Sequence, residues 1–93
     1  VLAFNRSAIE GKIERLSGYL GMSGGFDGFM DEILKLRADL DVPATLEGLK
    51  VDGSKAETIA EMAVVDPTAG GNPIELTKEG ARAIFDAALS GRL

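Results

Sequence analysis

Apolar positions along this chain recur at spacings of three and four residues and nowhere alternate convincingly with period two, so the pattern predicts helices and no strands. The first helix is expected from Ser7. There Ser7 and Glu10 read as a capping box, in which hydroxyl and carboxylate satisfy each other's unpaired backbone N–H groups. Ile9, Ile13, Leu16 and Leu20 form its apolar stripe, Glu10, Lys12, Glu14 and Arg15 fall off it, and Gly21 is its stop. Ser23, Gly24 and Gly25 make a flexible connection. Helical spacing resumes with Phe26, Phe29, Met30, Ile33, Leu36, Arg37 and Leu40, and Leu34 widens that face. Asp27, Asp31 and Glu32 lie toward the start of this second helix and Lys35 and Arg37 toward its end, the polarity the helix dipole favours. Pro43 pushes Val42 out of the helical region and offers no backbone donor, so the helix should close near Leu40 or Asp41.

Thr45 to Leu49 can form one short helical turn, with Val51, Asp52 and Gly53 as its exit. Ser54 and Glu57 repeat the capping-box spacing before a third helix whose buried face is expected to be Ala56, Ile59, Ala60, Met62 and Ala63, with Val64 and Val65 running on to Asp66. From Asp66 to Pro73 two prolines and the Gly70–Gly71 pair forbid regular structure, and Asp66 is expected to cap or close the third helix. Thr77 caps the last helix, with Ala81, Ile84, Phe85, Ala88 and Leu89 as its inner stripe and Ser90 and Gly91 as its end. The reading is all-α: a small bundle of four main helices plus one short turn, residues 1–93 forming a single helical domain. No internal repeat is evident. Val1 to Asn5 reads as the end of an element that begins earlier, in a piece of a longer chain.

Composition narrows the chemistry. The 93 residues include no cysteine and no histidine, which removes disulfides, thiolate and imidazole nucleophile pairs, and Cys or His metal ligands. The net charge is −5 with ten Lys and Arg scattered singly, so the basic footprint that nucleic acid requires is missing. No apolar run approaches the roughly 18 residues of a membrane span, and a soluble domain with neither nucleic acid nor membrane as partner is expected.

The remaining candidates each have a plainer explanation. Asp27 with Asp31, and Glu57 with Glu61, stand four apart and could act as acid/base or cation pairs, but a solvated helix face explains them as well. Asp39 and Asp41 lack the glycine and glutamate spacing of a calcium loop. Gly24, Gly25 and Gly28 match no phosphate-binding fingerprint and follow no strand, and Gly70, Gly71 and Asn72 read as a turn before an anion nest. Tyr19 is expected to pack, and Phe26, Phe29, Phe85 and the three methionines to be core. No catalytic, cofactor-binding or metal-binding residue is assigned.

Taken in order, Leu40–Asp41–Val42–Pro43–Ala44–Thr45–Leu46, Ala63–Val64–Val65–Asp66 and Gly71–Asn72–Pro73 resemble the C-terminal end of iron-containing alcohol dehydrogenases. That family's pattern is a Gly-Ile-Pro-x-x-Leu-like turn, a helix ending Ala-x-x-Asp, then Asn-Pro-Arg and a final helix. Val1–Leu2–Ala3–Phe4–Asn5 is similar to the end of the helix after the family's last metal-ligand histidine. Asp41 stands where the pattern has glycine, and Ile74 where it has arginine. The resemblance implies a cytoplasmic parent enzyme with an N-terminal dinucleotide-binding domain. It implies a divalent metal, Fe or Zn, held by one aspartate and three histidines upstream of Val1, and hydride transfer between an alcohol or aldehyde and NAD(P). This part, inactive alone, would be packing support. Its expected partners are the missing N-terminal part and, through exposed apolar surface, other copies of itself. A stand-alone helical interaction module and a carboxylate-based enzyme are the alternatives.

Overall fold

A computed structural model describes all residues, Val1–Leu93. Four α-helices, α1 (Arg6–Tyr19), α2 (Gly25–Asp39), α3 (Ala56–Val65) and α4 (Lys78–Ser90), are joined by loops holding 3-10 turns at Glu47–Leu49, Gly53–Lys55 and Ala69–Gly71. There is no strand, and the turn expected after Thr45 is the first of the three.

Both predicted capping boxes are absent, for a shared reason: the chain arrives at each helix already coiled. Ahead of α1, Asn5 N–H reaches the Val1 carbonyl at 3.0 Å and Arg6 N–H the Ala3 carbonyl at 3.2 Å. Asn5 has helical angles and makes no side-chain cap. Ser7 therefore lies inside the helix, and Glu10 binds the Arg6 guanidinium at 2.6 Å. Ahead of α3, the Gly53–Lys55 turn intervenes and Asp52 caps it, accepting from Ser54 N–H at 2.8 Å and from the Ser54 hydroxyl. Thr77 is the cap the pattern predicts: extended backbone, its hydroxyl accepting from Gly80 N–H at 3.1 Å.

The C-terminal ends of α1 and α2 share one backbone device. Gly21 N–H bonds Gly18 C=O at 3.1 Å and Met22 N–H bonds Ser17 C=O at 2.9 Å, the paired closure of a Schellman motif, with Gly21 at φ 72°. After α2 the same pair runs from Asp41 to Ala38 and from Val42 to Arg37, both at 3.0 Å. Asp41 occupies the left-handed position, at φ 55°.

The helices pack as two pairs, α1 on α2 and α3 on α4. The start of α2 lies against the first half of α1: the Arg6 guanidinium sits 4.6 Å from the Phe26 ring centroid. Gly28 is needed there, because a β-carbon at this position would stand 1.9 Å from the Ser23 carbonyl oxygen. Helix α4 runs antiparallel to α3, since Lys78 bridges Glu57 and Glu61, Arg82 reaches Glu57, and Leu89 lies beside Gly53.

Phe26, Ala56, Ala60, Ala81 and Phe85 are the buried apolar residues. Ile9, Ile13, Phe29, Met30, Leu34, Ala63, Ile84 and Leu89 are half-buried, whereas the expected core positions Leu16, Leu20, Ile33, Leu36, Leu40, Ile59, Met62 and Ala88 are exposed, as is Tyr19. The physical reason is thickness. The molecule measures 42 × 30 × 18 Å, and its thinnest dimension is less than two helix diameters of about 10–12 Å each, so each helix has one helical neighbour and its stripe is only partly covered. Its accessible surface is 6413 Å², against about 5,100 Å² for a compact protein of this mass.

Asp41→Gly removes a side chain from a left-handed backbone position without touching either closing hydrogen bond. It is expected to stabilise the chain by roughly 0.5–1 kcal/mol, read as a higher urea midpoint at unchanged slope.

Candidate functional site

The loop from Asp66 to Pro73 is built by its own side chains. Asp66 turns extended at the end of α3 and its carboxylate accepts from Thr68 N–H at 2.8 Å and from the Thr68 hydroxyl, so it closes α3 and starts the next turn. Gly71 N–H is spent on Thr68 C=O at 3.0 Å and Asn72 N–H on Ala69 C=O at 3.1 Å. These donors point into the turn and do not converge on a space where an anion could sit.

Asn72 then ties this loop to the segment that enters α1. Its Nδ2 donates to Asn5 Oδ1 and its Oδ1 accepts from Asn5 Nδ2, both at 2.8 Å, while the same Nδ2 reaches the Ile74 carbonyl at 2.6 Å. Asn5 is only 3 % exposed. Beside this pair the Phe4 ring lies against the first turn of α4 at Gly80. Sequence reasoning placed Asn5 and Asn72 in motifs but could not pair them. A polar residue directly after an apolar run, as Asn5 is after Val1–Phe4, was the one available signal. Ser17, fully buried in α1 with its hydroxyl 3.5 Å from the Met22 carbonyl, gave no such signal.

The carboxylate pairs are held by cations. Lys78 Nζ lies 2.5 Å from Glu57 and 2.8 Å from Glu61, and Arg82 spans Glu57 and Asp86. The hydrogen bond from Lys78, reinforced by its charge, lowers the Glu57 pKa, and Glu57 followed by Glu61 raises that of Lys78. Asp27 is bound by Arg6 at 2.7 Å and is thereby separated in role from Asp31. Arg6 is raised in turn, by Asp27 first and then Glu10. Neither pair presents two free carboxylates to a substrate.

Two shallow clefts lie near candidate residues. One of about 600 Å³ opens over Gly21–Gly24 and is edged by Asp27, Asp31 and Glu32, a negative rim that repels phosphate. The other, about 350 Å³, lies beside Asn72 and has Glu75 as its charged lining residue. No three Asp or Glu residues converge as a metal-holding group, and with neither histidine nor cysteine the donor set for a transition metal is not here. No strand feeds a glycine-rich turn, so the cradle for a dinucleotide pyrophosphate is missing too. No helix is long and apolar enough to cross a membrane.

What the geometry offers is a thin layer of four helices with a fixed loop between α3 and α4 and many exposed apolar side chains. Residues 1–89 match the family model described as Fe-containing alcohol dehydrogenase family, C-terminal. The chain belongs to that family. Searches of curated proteins and of solved structures returned no match. Within this family's C-terminal region, Asn72 of the Gly71–Asn72–Pro73 motif is a loop-fixing residue, and Asp41, in place of the pattern's glycine, keeps the backbone shape of the turn before Pro43. The family implies an iron-type metal and NAD in the parent enzyme, and the residues present here fit neither.

Two outcomes follow from this chemistry. Asn72→Ala leaves the buried Asn5 amide without either partner and should destabilise the chain by about 1–3 kcal/mol, whereas the Asn5→Ala/Asn72→Ala double variant should lose less than the sum of the two single changes in a denaturation cycle. Glu57, Asp52 and Asp66 are all held below the usual carboxylate range, by Lys78, Ser54 and Thr68 respectively. Their contribution is therefore complete above that range and is lost as pH falls through the lowered values. The unfolding midpoint should be flat from about pH 7 to 5 and drop below about pH 4.

Proposed function

We propose that this chain is the outer helical support of a cytoplasmic, metal-dependent alcohol dehydrogenase that transfers hydride between an alcohol or aldehyde and NAD(P). The observation that carries this reading is the family match across residues 1–89 of a chain whose fold leaves large apolar side chains uncovered on all four helices or their ends. The metal, Fe or Zn, and the dinucleotide would be held by residues outside these 93. The part described here would act through packing: α1–α2 and α3–α4 keep ligand-bearing neighbours in place, and the Asn5–Asn72 pair fixes the angle at which the chain enters α1.

The partner for the uncovered surface is the rest of the parent enzyme, and without it the chain is expected to self-associate. The interaction-module alternative has no separate observation in its favour. The carboxylate-based alternative is weakened by the cations that occupy both acidic pairs.

The test has two arms. The reading frame upstream of Val1 should encode one aspartate and three histidines, preceded by a glycine-rich strand–turn–helix unit. The purified 93-residue chain, given an alcohol, NAD or NADP, and Fe²⁺ or Zn²⁺, should form no reduced nicotinamide. Turnover by the isolated chain, or an upstream frame without those ligands, would overturn the proposal.

A further inference from the structure

Divided at one peptide link, the hydrogen bonds of this molecule fall into two closed sets. Every main-chain bond and every ion pair joins residues of 1–42 to one another or residues of 43–93 to one another. The side-chain bonds divide in the same way, with one exception. Only the reciprocal Asn5–Asn72 pair crosses. The helices pair within each set, α1 on α2 and α3 on α4. Each set has buried apolar residues of its own, Phe26 in the first and Ala56, Ala60, Ala81 and Phe85 in the second.

The dividing link is Val42–Pro43. Val42 N–H closes α2 on the Arg37 carbonyl at 3.0 Å, so Val42 belongs to the first set. From Pro43 onward the chain is anchored to the second: the Pro43 ring lies beside Gly48, Ala44 and Thr45 lie against Gly91, and Leu46 N–H bonds the Ala88 carbonyl at 3.0 Å. Val42, Pro43 and Ala44 are exposed. Proline brings a fixed φ and no N–H, which leaves the ψ angle of Val42, over a range of about 120–160°, as the freedom of this joint.

We propose that residues 1–42 form a flap hinged at Val42–Pro43 and latched shut by Asn5–Asn72, and that opening the latch swings α1 and α2 as one piece without unfolding either helix pair. The flap moves as a unit because its parts are coupled. Asn5 N–H bonds the Val1 carbonyl and α1 follows without a break, so whatever moves Asn5 moves α1. Arg6 carries α2 along through Asp27 and the Phe26 ring. The latch itself is slight. Each amide bond lost between the asparagines is replaced by one to water, and the Phe4 ring against Gly80 is a small apolar contact beside them. Small interfaces within one chain permit relative motion of the parts they join, and a joint at the end of a helix is an ordinary place for it. Opening also widens the cleft beside Asn72, where Val64, Gly70 and Leu76 form part of the lining.

The chain has no cysteine, so pairs of spin labels can be introduced on thiols at chosen sites. Leu36→Cys on α2 with Met62→Cys on α3 spans the joint, Tyr19→Cys with Leu36→Cys stays inside the flap, and Leu49→Cys with Met62→Cys stays inside the second set; all four positions are exposed. Asn72→Ala should shift the distance across the joint by several ångström and raise the open fraction at least about fivefold, while both internal distances and the helical circular dichroism are unchanged. Phe4→Ala keeps both amides and should shift the same distance in the same direction by less. Should Asn72→Ala alone unfold, the Phe4→Ala distance decides. A distance across the joint that moves in neither variant, internal distances that move as much, or loss of helix in both variants would each overturn the flap. None of these outcomes bears on the upstream ligands or on turnover, so the enzyme-support reading stands or falls separately.

Discussion

Two side-chain amides, from residues 67 positions apart, join the chain entering α1 to the loop between α3 and α4. Asn5 and Asn72 each donate one hydrogen bond to the other and accept one in return, and the spare hydrogen on Asn72 is taken up by the Ile74 carbonyl. Closing so long a loop costs a few kcal/mol of chain entropy, and burying an amide without partners costs about 1–3 kcal/mol more. The reciprocal pair avoids the second cost and offsets part of the first. Because amide bonds are directional, it also fixes an angle, which apolar contact alone cannot do. A longer glutamine would not reach the same geometry, and aspartate would supply only acceptors.

Directionality matters more here than in a thicker domain. Only five apolar residues are buried, and two of them are the phenylalanines around which each helix pair closes, Phe26 and Phe85. Each helix leans on a single neighbour, so most of the apolar stripe predicted on α1 and α2 is half-covered at best. The exposed cation–carboxylate sets, Arg6 with Glu10 and Asp27 and Lys78 with Glu57 and Glu61, add local order on the polar sides. Exposed pairs of this kind contribute little to stability individually. The fold is thus under-supplied with burial and well supplied with local hydrogen bonding.

Helix number, order and ends were legible in the sequence because those features are local. Period, glycine and proline placed α2 to within one residue at its start and two at its end, and Thr77 caps α4 because its own backbone is extended. The capping boxes at Ser7 and Ser54 failed for a reason that spacing cannot encode: a serine caps only from non-helical backbone, and both serines already lie inside coiled backbone, Ser7 in α1 and Ser54 in the 3-10 turn that Asp52 caps. Burial was misread at Leu16, Leu36, Ile59 and Met62, since periodicity shows that a face is apolar but not how many neighbours exist to cover it. The Asn5–Asn72 pair was out of reach, as no local rule links two positions so far apart.

The two departures from the family pattern show what kind of information the motifs carry. Ile74 replaces arginine, yet the contact that residue makes with Asn72 is through its backbone carbonyl, which any side chain provides. Asp41 replaces glycine, yet the bonds that close α2 run from its backbone N–H and that of Val42 to Ala38 and Arg37, and an aspartate can enter the left-handed region at modest cost. In both places the shape survives the change of side chain because the shape is made by the main chain. The same logic limits what the resemblance can transmit. A loop or a helix end can be inherited through the backbone, whereas a metal or a dinucleotide is held by particular side chains or by a particular turn. The chain keeps the main-chain shapes of the turn before Pro43 and of the Gly71–Asn72–Pro73 loop with different side chains at Asp41 and Ile74.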